Sequence, residues 1–189
     1  MATEKQSWLQ FPLVTALMIF DRVQQLKAAK TSVDCFFDQN WPNKHLIIFN
    51  TTNCPLLPRN RFKKRRPGLE ILLKAMTTQK MISLCFHNSN GEWCLNWMPD
   101  CYYATNYIET HLAHRDKKTI VIFKNKQLRS LISNQTKIIN DPNIFPCWSF
   151  YRYFPVDFES SKSLFSQFIF QSYVDNPANL VTKFVDEVA

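Results

Sequence analysis

The residues with the clearest chemical setting in this chain are Asn50 and Thr52. They follow Leu46-Ile47-Ile48-Phe49 in the stretch KHLIIFNTTNCPLL, Lys44 to Leu57, which reads as a strand buried on both faces running into a sharp loop. An enzyme that transfers phosphate from such a strand end would carry two carboxylates there, one as nucleophile and one to handle a proton. An amide and a hydroxyl do neither near neutral pH. The spacing therefore marks a scaffold without its acids, or simply polar turn residues after a strand.

Other residue sets offer other chemistry. Arg59, Arg61, Lys63, Lys64, Arg65 and Arg66 form a dense basic run, suited to phosphates, RNA, anionic lipid or an acidic protein subunit, and equally to a solvated loop. Cys94, Cys101, His111 and His114 carry donor types for zinc, but their spacing matches no familiar finger. The six cysteines have no CxxC pair, and reduced, buried thiols are the expected state. Trp93, Trp97, Tyr102 and Tyr103 have no RNA-recognition motif around them and are expected to pack in a core or interface. Only two glycines occur, Gly68 and Gly91, which excludes every glycine-rich phosphate cradle.

The elements that would position these residues follow from periodicity. A chain of 189 residues that is 46% hydrophobic and contains 16 Phe can bury a substantial core. Its net charge of +8 admits nucleic acid, anionic lipid or an acidic neighbour without choosing among them. Leu9, Leu13, Ala16, Leu17, Phe20, Val23 and Leu26 recur at helical spacing and predict a helix over 8–30, packed across the domain or used for docking. Strands are expected at 44–50, 81–86, 118–123 and 136–139. Helices are expected from Pro67-Gly68 to Met76, and over 102–112, 127–133, 160–173 and 177–188. Strands alternating with helices imply an α/β fold with a parallel sheet flanked by helices. Residues 1–40 read as an N-terminal docking helix and linker, and residues 41–189 as the domain. No run of ~20 apolar residues is present, so no membrane span is expected.

Taken together, FNTTNC, FKKRRPGLEILL, ISLCFHNSN, HRDKKTIVIFKN and NQTKIIN resemble the successive motifs of the haloacid dehalogenase superfamily, a Rossmannoid fold. The resemblance is to the branch holding the RNA polymerase C-terminal-domain phosphatases and the receptor subunit of the mitochondrial presequence translocase. It covers roughly 44–140, and Arg-Pro-Gly at Arg66 to Gly68 is its most specific piece. It implies that Asn50 stands at the nucleophile position, Thr52 at the acid–base position, Cys54 at the motif threonine and Lys124 at a magnesium-binding acid. The phosphate-binding lysine would fall near Ile108 and is missing. Losses in every catalytic motif imply a pseudoenzyme with no cofactor. The expected role is an accessory structural subunit of a mitochondrial inner-membrane assembly, of the respiratory-chain or ATP-synthase type. Other protein subunits are the expected partners. The alternative is an RNA- or ribosome-binding module that uses the 59–66 run.

Overall fold

Val14–Phe20 is apolar at every position but Thr15, and such a run suits a doubly buried strand as well as a helix. The computed structural model describes residues 11–52, 54–56, 69–72, 91–114, 119–130, 132–141, 147–151, 170–174 and 178–185. In it, Val14–Phe20 is strand β1, buried at every residue except Ile19. The helix expected over 8–30 is corrected accordingly. β1 pairs in parallel with β2 (Lys44–Asn50) on one side and with β4 (Trp93–Asn96) on the other. β3 (Leu69–Leu72) lies beyond β2. Past β4 come β9 (Cys147–Tyr151), antiparallel to both neighbours, then β6 (Thr119–Phe123) and β10 (Phe170–Val174). The resulting order is β10-β6-β9-β4-β1-β2-β3.

A second sheet is built from β5 (Cys101–Tyr103), β7 (Lys126–Ser130), β8 (Thr136–Ile139) and β11 (Val181–Val185). Its order is β5-β11-β7-β8. The strands expected at 44–50, 118–123 and 136–139 are present as β2, β6 and β8. Five further expected helices are replaced in whole or part. The segment after Gly68 is β3, residues 101–103 are β5, residues 126–130 are β7, and residues 170–174 are β10. After Pro177 the chain makes a 3₁₀ turn, Ala178–Leu180, and then β11. The reason is clearest in β7. Gln127 and Arg129 alternate with Leu128 and Ser130, which is strand period, and β8 and β11 supply pairing on both edges. The strand expected at 81–86 and the basic run Arg59 to Arg66 lie outside the described residues.

Two α-helices occur among the described residues, α1 (Leu26–Phe37) and α2 (Tyr107–Ala113). α1 buries Ala29, Ser32, Val33 and Phe36, a single helical face, and packs against β5. Gln39 then ties the two helices together. Its Nε2 donates to Cys35 O (3.0 Å) and Ala104 O (2.7 Å), and its Oε1 accepts from Ile108 N (3.1 Å) in the first turn of α2. The fold is thus mixed α/β with a largely parallel main sheet.

Trp93, Trp97 and Tyr103 lie in the core, as expected, together with Tyr107, whereas Tyr102 is exposed. Trp97 is fully buried, stacks on Tyr103 at 3.8 Å, and meets Phe36 and Tyr107 edge-on. Its Nε1 donates to Ser32 O at 3.0 Å, so α1 is pinned to the end of β4. Gly91 sets the start of β4. A Cβ there would collide with Thr15 Oγ1 and stand 2.8 Å from the Thr15 backbone nitrogen inside β1. The backbone of a central strand cannot yield, so Gly91→Ala is expected to lower unfolding free energy by about 1–3 kcal/mol in a denaturant titration. An unchanged midpoint would show that the β1–β4 junction is slack.

Candidate functional site

β2 and β3 follow β1 toward one edge of the main sheet, whereas β4 returns to the other side of β1. The strand order therefore reverses at β1, and ligands of open α/β sheets bind outside the carboxyl ends of strands at such a point. The register gives that place a shape. Ala16 is level with Leu95, Leu95 with Ser149, and Ser149 with Val121. From that level β4 runs one residue further, to Asn96, and β6 two, to Phe123, while β1 runs four, to Phe20. β2 ends beside it, with Asn50 opposite Phe20. β1 and β2 overtop β4 by three residues, about 10 Å at the usual strand rise. The outcome is a ledge: the ends of β4 and β6 form its floor, and the ends of β1 and β2 its wall.

The wall is polar. Asn50, 3% exposed, organises the loop after β2. Its Oδ1 accepts from Thr52 N (2.9 Å) and Thr52 Oγ1 (2.7 Å), and its Nδ2 donates to Cys54 O (2.9 Å). Thr52 Oγ1 in turn accepts from Cys54 N at 3.2 Å. This Asx-type turn closes on itself, as Asn side chains commonly do beside their own backbone. Thr51 N donates to Phe20 O at 3.0 Å and holds the loop against β1. Asp21 and Arg22 leave the end of β1 exposed, with side chains 3.9 Å apart, a contact worth little in water. The helix that follows has no acidic residue in its first turn and no side-chain cap, which leaves its positive end uncancelled.

The floor carries a second polar group. After Asn96 the chain turns under α1, and Ser32 Oγ donates to Met98 O at 2.8 Å. Asp100 then meets Lys183 of β11, Nζ to Oδ2 3.0 Å, and accepts from Gln25 Nε2 at 3.3 Å. Gln25 Oε1 is buried without a hydrogen-bond partner among the described groups. Lys124 follows the end of β6, half-buried, at the same edge of the sheet. Two residues on, Lys126 Nζ donates to Asp141 O at 3.0 Å. Asp21, Arg22, Gln25, Asp100, Lys126, Asp141 and Lys183 are absent from the residues that sequence reasoning marks. The Asp-Arg pair directly after VTALMIF is the signal that would find the first two, once that run is read as a strand.

The structure gathers Asn50 and Thr52 and places Lys124 at the end of β6, but it does not assemble the zinc set. Among the described residues no three His, Cys, Asp or Glu side chains converge on a metal position. Cys35, Cys94 and Cys101 are buried free thiols, and Cys54 is half-buried. His111 is fully buried, stacked on Phe123 at 3.8 Å, with Nδ1 2.9 Å from Ser149 Oγ. Burial pushes its pKa down to about 3, and His114 nearby adds to the effect.

No protein-family model matches the chain, and no curated protein matches it by sequence. Solved structures do match by fold. TarS residues 1–349 of S. aureus in complex with UDP-GlcNAc superposes with TM-score 0.65 and 11% identity, over 94% of this chain and 60% of that one. The mannosyltransferase PcManGT of Pyrobaculum calidifontis, in complex with GDP-Man and Mn2+, gives TM-score 0.59 and 8% identity, over 93% and 57%. The 4-diphosphocytidyl-2C-methyl-D-erythritol synthase of Anaerococcus prevotii gives 0.57 and 12%, over 92% and 91%. The chain spans about 60% of the TarS fragment it matches. At these identities the likeness establishes the fold alone.

That likeness overturns the haloacid dehalogenase-like reading. The fold is like that of TarS, PcManGT and the synthase rather than that of a phosphatase domain, so the inactive phosphatase domain, the accessory-subunit role and the respiratory-chain setting fall with it. The physical reason lies in β1. With Val14–Phe20 in the sheet, β2 is the second strand, and Asn50 and Thr52 do not stand in for a nucleophile and its acid. The segment after Arg-Pro-Gly is a strand, so the most specific piece of the resemblance is also lost. The divalent cation that accompanies one neighbour finds no matching donor set among the described residues. Asp21 sits beside Arg22 and Asp100 beside Lys183, while Lys126 meets Asp141 through its backbone carbonyl.

Asn50→Asp tests the loop directly. The new carboxylate would face Cys54 O with no proton to donate, so a loss of about 1–3 kcal/mol is expected in thermal unfolding. No magnesium-dependent phosphatase activity should appear. His111 gives a pH signature. A histidine held neutral contributes its full stability above the unfolded pKa of 6.5. That stability is lost as pH falls toward about 3, because only the unfolded chain takes up the proton. The loss is roughly 1.4 kcal/mol per pH unit, or about 2 kcal/mol at pH 5. The difference in melting temperature between wild type and His111→Phe should therefore shrink from pH 7 to pH 5, and a constant difference would refute the assignment.

Proposed function

We propose that this chain is a nucleotide-binding transferase of the sugar-nucleotide type, with its substrate seated on the ledge above β4 and β6. The observation that carries this reading is the reversal of strand order at β1, with cationic and neutral polar groups grouped at the ends of the strands. Support comes from the fold neighbours, two of which were solved with UDP-GlcNAc or GDP-Man. In this reading Arg22 and Lys124 attract the diphosphate, the closed Asn50–Thr52 turn shapes the wall for the nucleoside, and the buried Gln25 Oε1 accepts from a ligand hydroxyl. Transfer forms a bond from an acceptor oxygen to the anomeric carbon and breaks the bond to the β-phosphate oxygen. The electron pair leaves with the nucleoside diphosphate. Asp100, directed by Lys183 and Gln25, is the described carboxylate placed to take the acceptor's proton.

One observation favours a second reading. The cytidylyl-transferring synthase matches over nearly its whole length as well as that of this chain. Nucleotidyl transfer would start from a nucleoside triphosphate and release pyrophosphate. The near-absence of glycine counts against it, because no glycine-rich loop is available to wrap a triphosphate.

Calorimetry with UDP-GlcNAc, GDP-mannose, UTP and CTP separates the two. One sugar nucleotide is expected to bind with a dissociation constant between about 1 μM and 1 mM, the usual range for enzyme substrates. Preference for a triphosphate with pyrophosphate release would replace this reading by the second. No heat and no thermal shift with any of the four at millimolar concentration would sink both.

A further inference from the structure

Gln25 presents a buried acceptor, Oε1, with no hydrogen-bond partner among the described groups. Turning the amide over does not remove it. A carboxylate only accepts, so Nε2 must face Asp100 Oδ2, which it meets at 3.3 Å, and Oε1 points elsewhere. Lys183 Nζ holds the same carboxylate oxygen at 3.0 Å. The Gln25 backbone is fixed as well. Its N–H donates to Arg22 O at 3.0 Å, and Leu26, the next residue, packs against the core at the start of α1. A buried acceptor without a donor costs free energy, which a ligand donor recovers on binding. The cluster reaches the surface, since the side chains of Asp100 and Lys183 are 18% and 28% exposed.

The donor that fits this atom is a neutral O–H or N–H. A diphosphate at neutral pH offers acceptors, so it does not satisfy Oε1. The two heteroatoms of an amide are ~2.3 Å apart, which puts Oε1 within about 6 Å of Asp100 Oδ2. Under the proposed function Asp100 takes the proton of the attacking hydroxyl, which stands ~3 Å from the anomeric carbon. The groups flanking that carbon therefore fall within reach of Gln25, whereas the nucleoside lies beyond the diphosphate. One flank is the ring oxygen, which has no proton. The other is C-2. Gln25 also stands on the segment that leaves β1, at the reversal of strand order, so it approaches from the side of the nucleotide. We infer that Gln25 is a specificity-determining residue, whose Oε1 accepts a hydrogen bond from the C-2 hydroxyl or acetamido N–H of the sugar being transferred. A sugar without a donor at C-2 leaves the acceptor buried and unpaired, and sites built this way reject such analogues strongly.

The inference rests on the proposed function, and the experiment distinguishes the failure of each. UDP-glucose and UDP-2-deoxy-2-fluoroglucose are titrated calorimetrically into the whole protein, and GDP-mannose and GDP-2-deoxy-2-fluoromannose likewise. Fluorine fills nearly the space of the hydroxyl but donates no hydrogen bond. In the nucleotide series that binds, the fluoro analogue is expected to bind about 10- to 100-fold more weakly. Gln25→Leu and Gln25→Met should each bring that ratio to within about twofold of one, by weakening the hydroxylated ligand. The wild-type ratio needs no variant, so a variant that fails to fold does not remove the test. Equal affinity of wild type for both members of a pair that binds would overturn the inference while leaving the nucleotide reading intact. A ratio kept by both folded variants would assign the discrimination to another residue and overturn the role of Gln25. No binding of any of the four ligands would overturn the nucleotide reading, and this inference with it.

Discussion

The constraint on which the rest of the structure depends is that β1 must be hydrogen-bonded on both edges and buried on both faces. A strand with six buried residues has no solvent to satisfy its amides, so β2 and β4 must both dock on it in register. Because both are parallel to β1, neither can follow its neighbour through a tight hairpin, and each connection must cross a face of the sheet. α1 makes the first crossing, between β1 and β2. The reversal of strand order follows from this arrangement, and the reversal creates the ledge. Gly91 shows how closely the strands approach, since the entry to β4 passes against the backbone of Thr15 with no room for a methyl group.

A second device fixes the floor of that ledge. Trp97 is the first residue after β4, and its ring is held by Tyr103, Phe36 and Tyr107 while its indole N–H reaches Ser32 O. Tyr103 returns the contact by accepting the Met98 amide at 2.6 Å. The turn from the main sheet into the second sheet is therefore packed and hydrogen-bonded as one unit. Asp100 lies on that turn, Gln25 at the start of α1, and Lys183 on β11, so three separate elements meet at one carboxylate. Their positions are inherited from the aromatic core rather than from any local loop preference.

These relations explain which parts were legible in the sequence. Leu46-Ile47-Ile48-Phe49 and Thr119–Phe123 read as strands because a short, continuous, β-branched run between polar turns has few other solutions. Val14–Phe20 has the same character, but Leu13, Ala16, Leu17 and Phe20 also fit a period of 3.6, and flanking apolar residues extend that false helix at both ends. Mistaking one strand shifted the meaning of every later one. With that strand read as a helix, β2 stands first and Asn50 takes the place of a lost nucleophile. The position of Asn50 at a strand end was legible. Its side-chain network was not, because nothing local distinguishes an Asx turn from a vacated catalytic site. The cluster of Gln25, Asp100 and Lys183 could not be read at all, since its members are joined only through tertiary packing. The short strand β5 is hidden for the same reason: its pairing partner is β11, far along the chain, and β7 lies between that strand and the nearby β8.

The same residues carry opposite chemical meanings in the two frames. In a hydrolase that forms a phosphoaspartate, a strand end without acids is a loss, because the acid is the nucleophile. In a site that binds a nucleoside diphosphate, the ligand brings the negative charge. Free carboxylates at the strand ends would repel it unless a cation intervened. A closed amide–hydroxyl turn at β2, an arginine after β1 and a lysine after β6 then amount to a suitable lining rather than a degraded one. Fold alone does not decide between these meanings, since one α/β scaffold serves many reactions. The sign of the charge does bear on it. Asp21 and Asp100, two described carboxylates at this edge, each have a basic neighbour from the same chain. Under the proposed function, paired acids of this kind leave the negative charge to the ligand, and the chemistry is transfer away from a bound phosphate rather than attack by an acid of the protein.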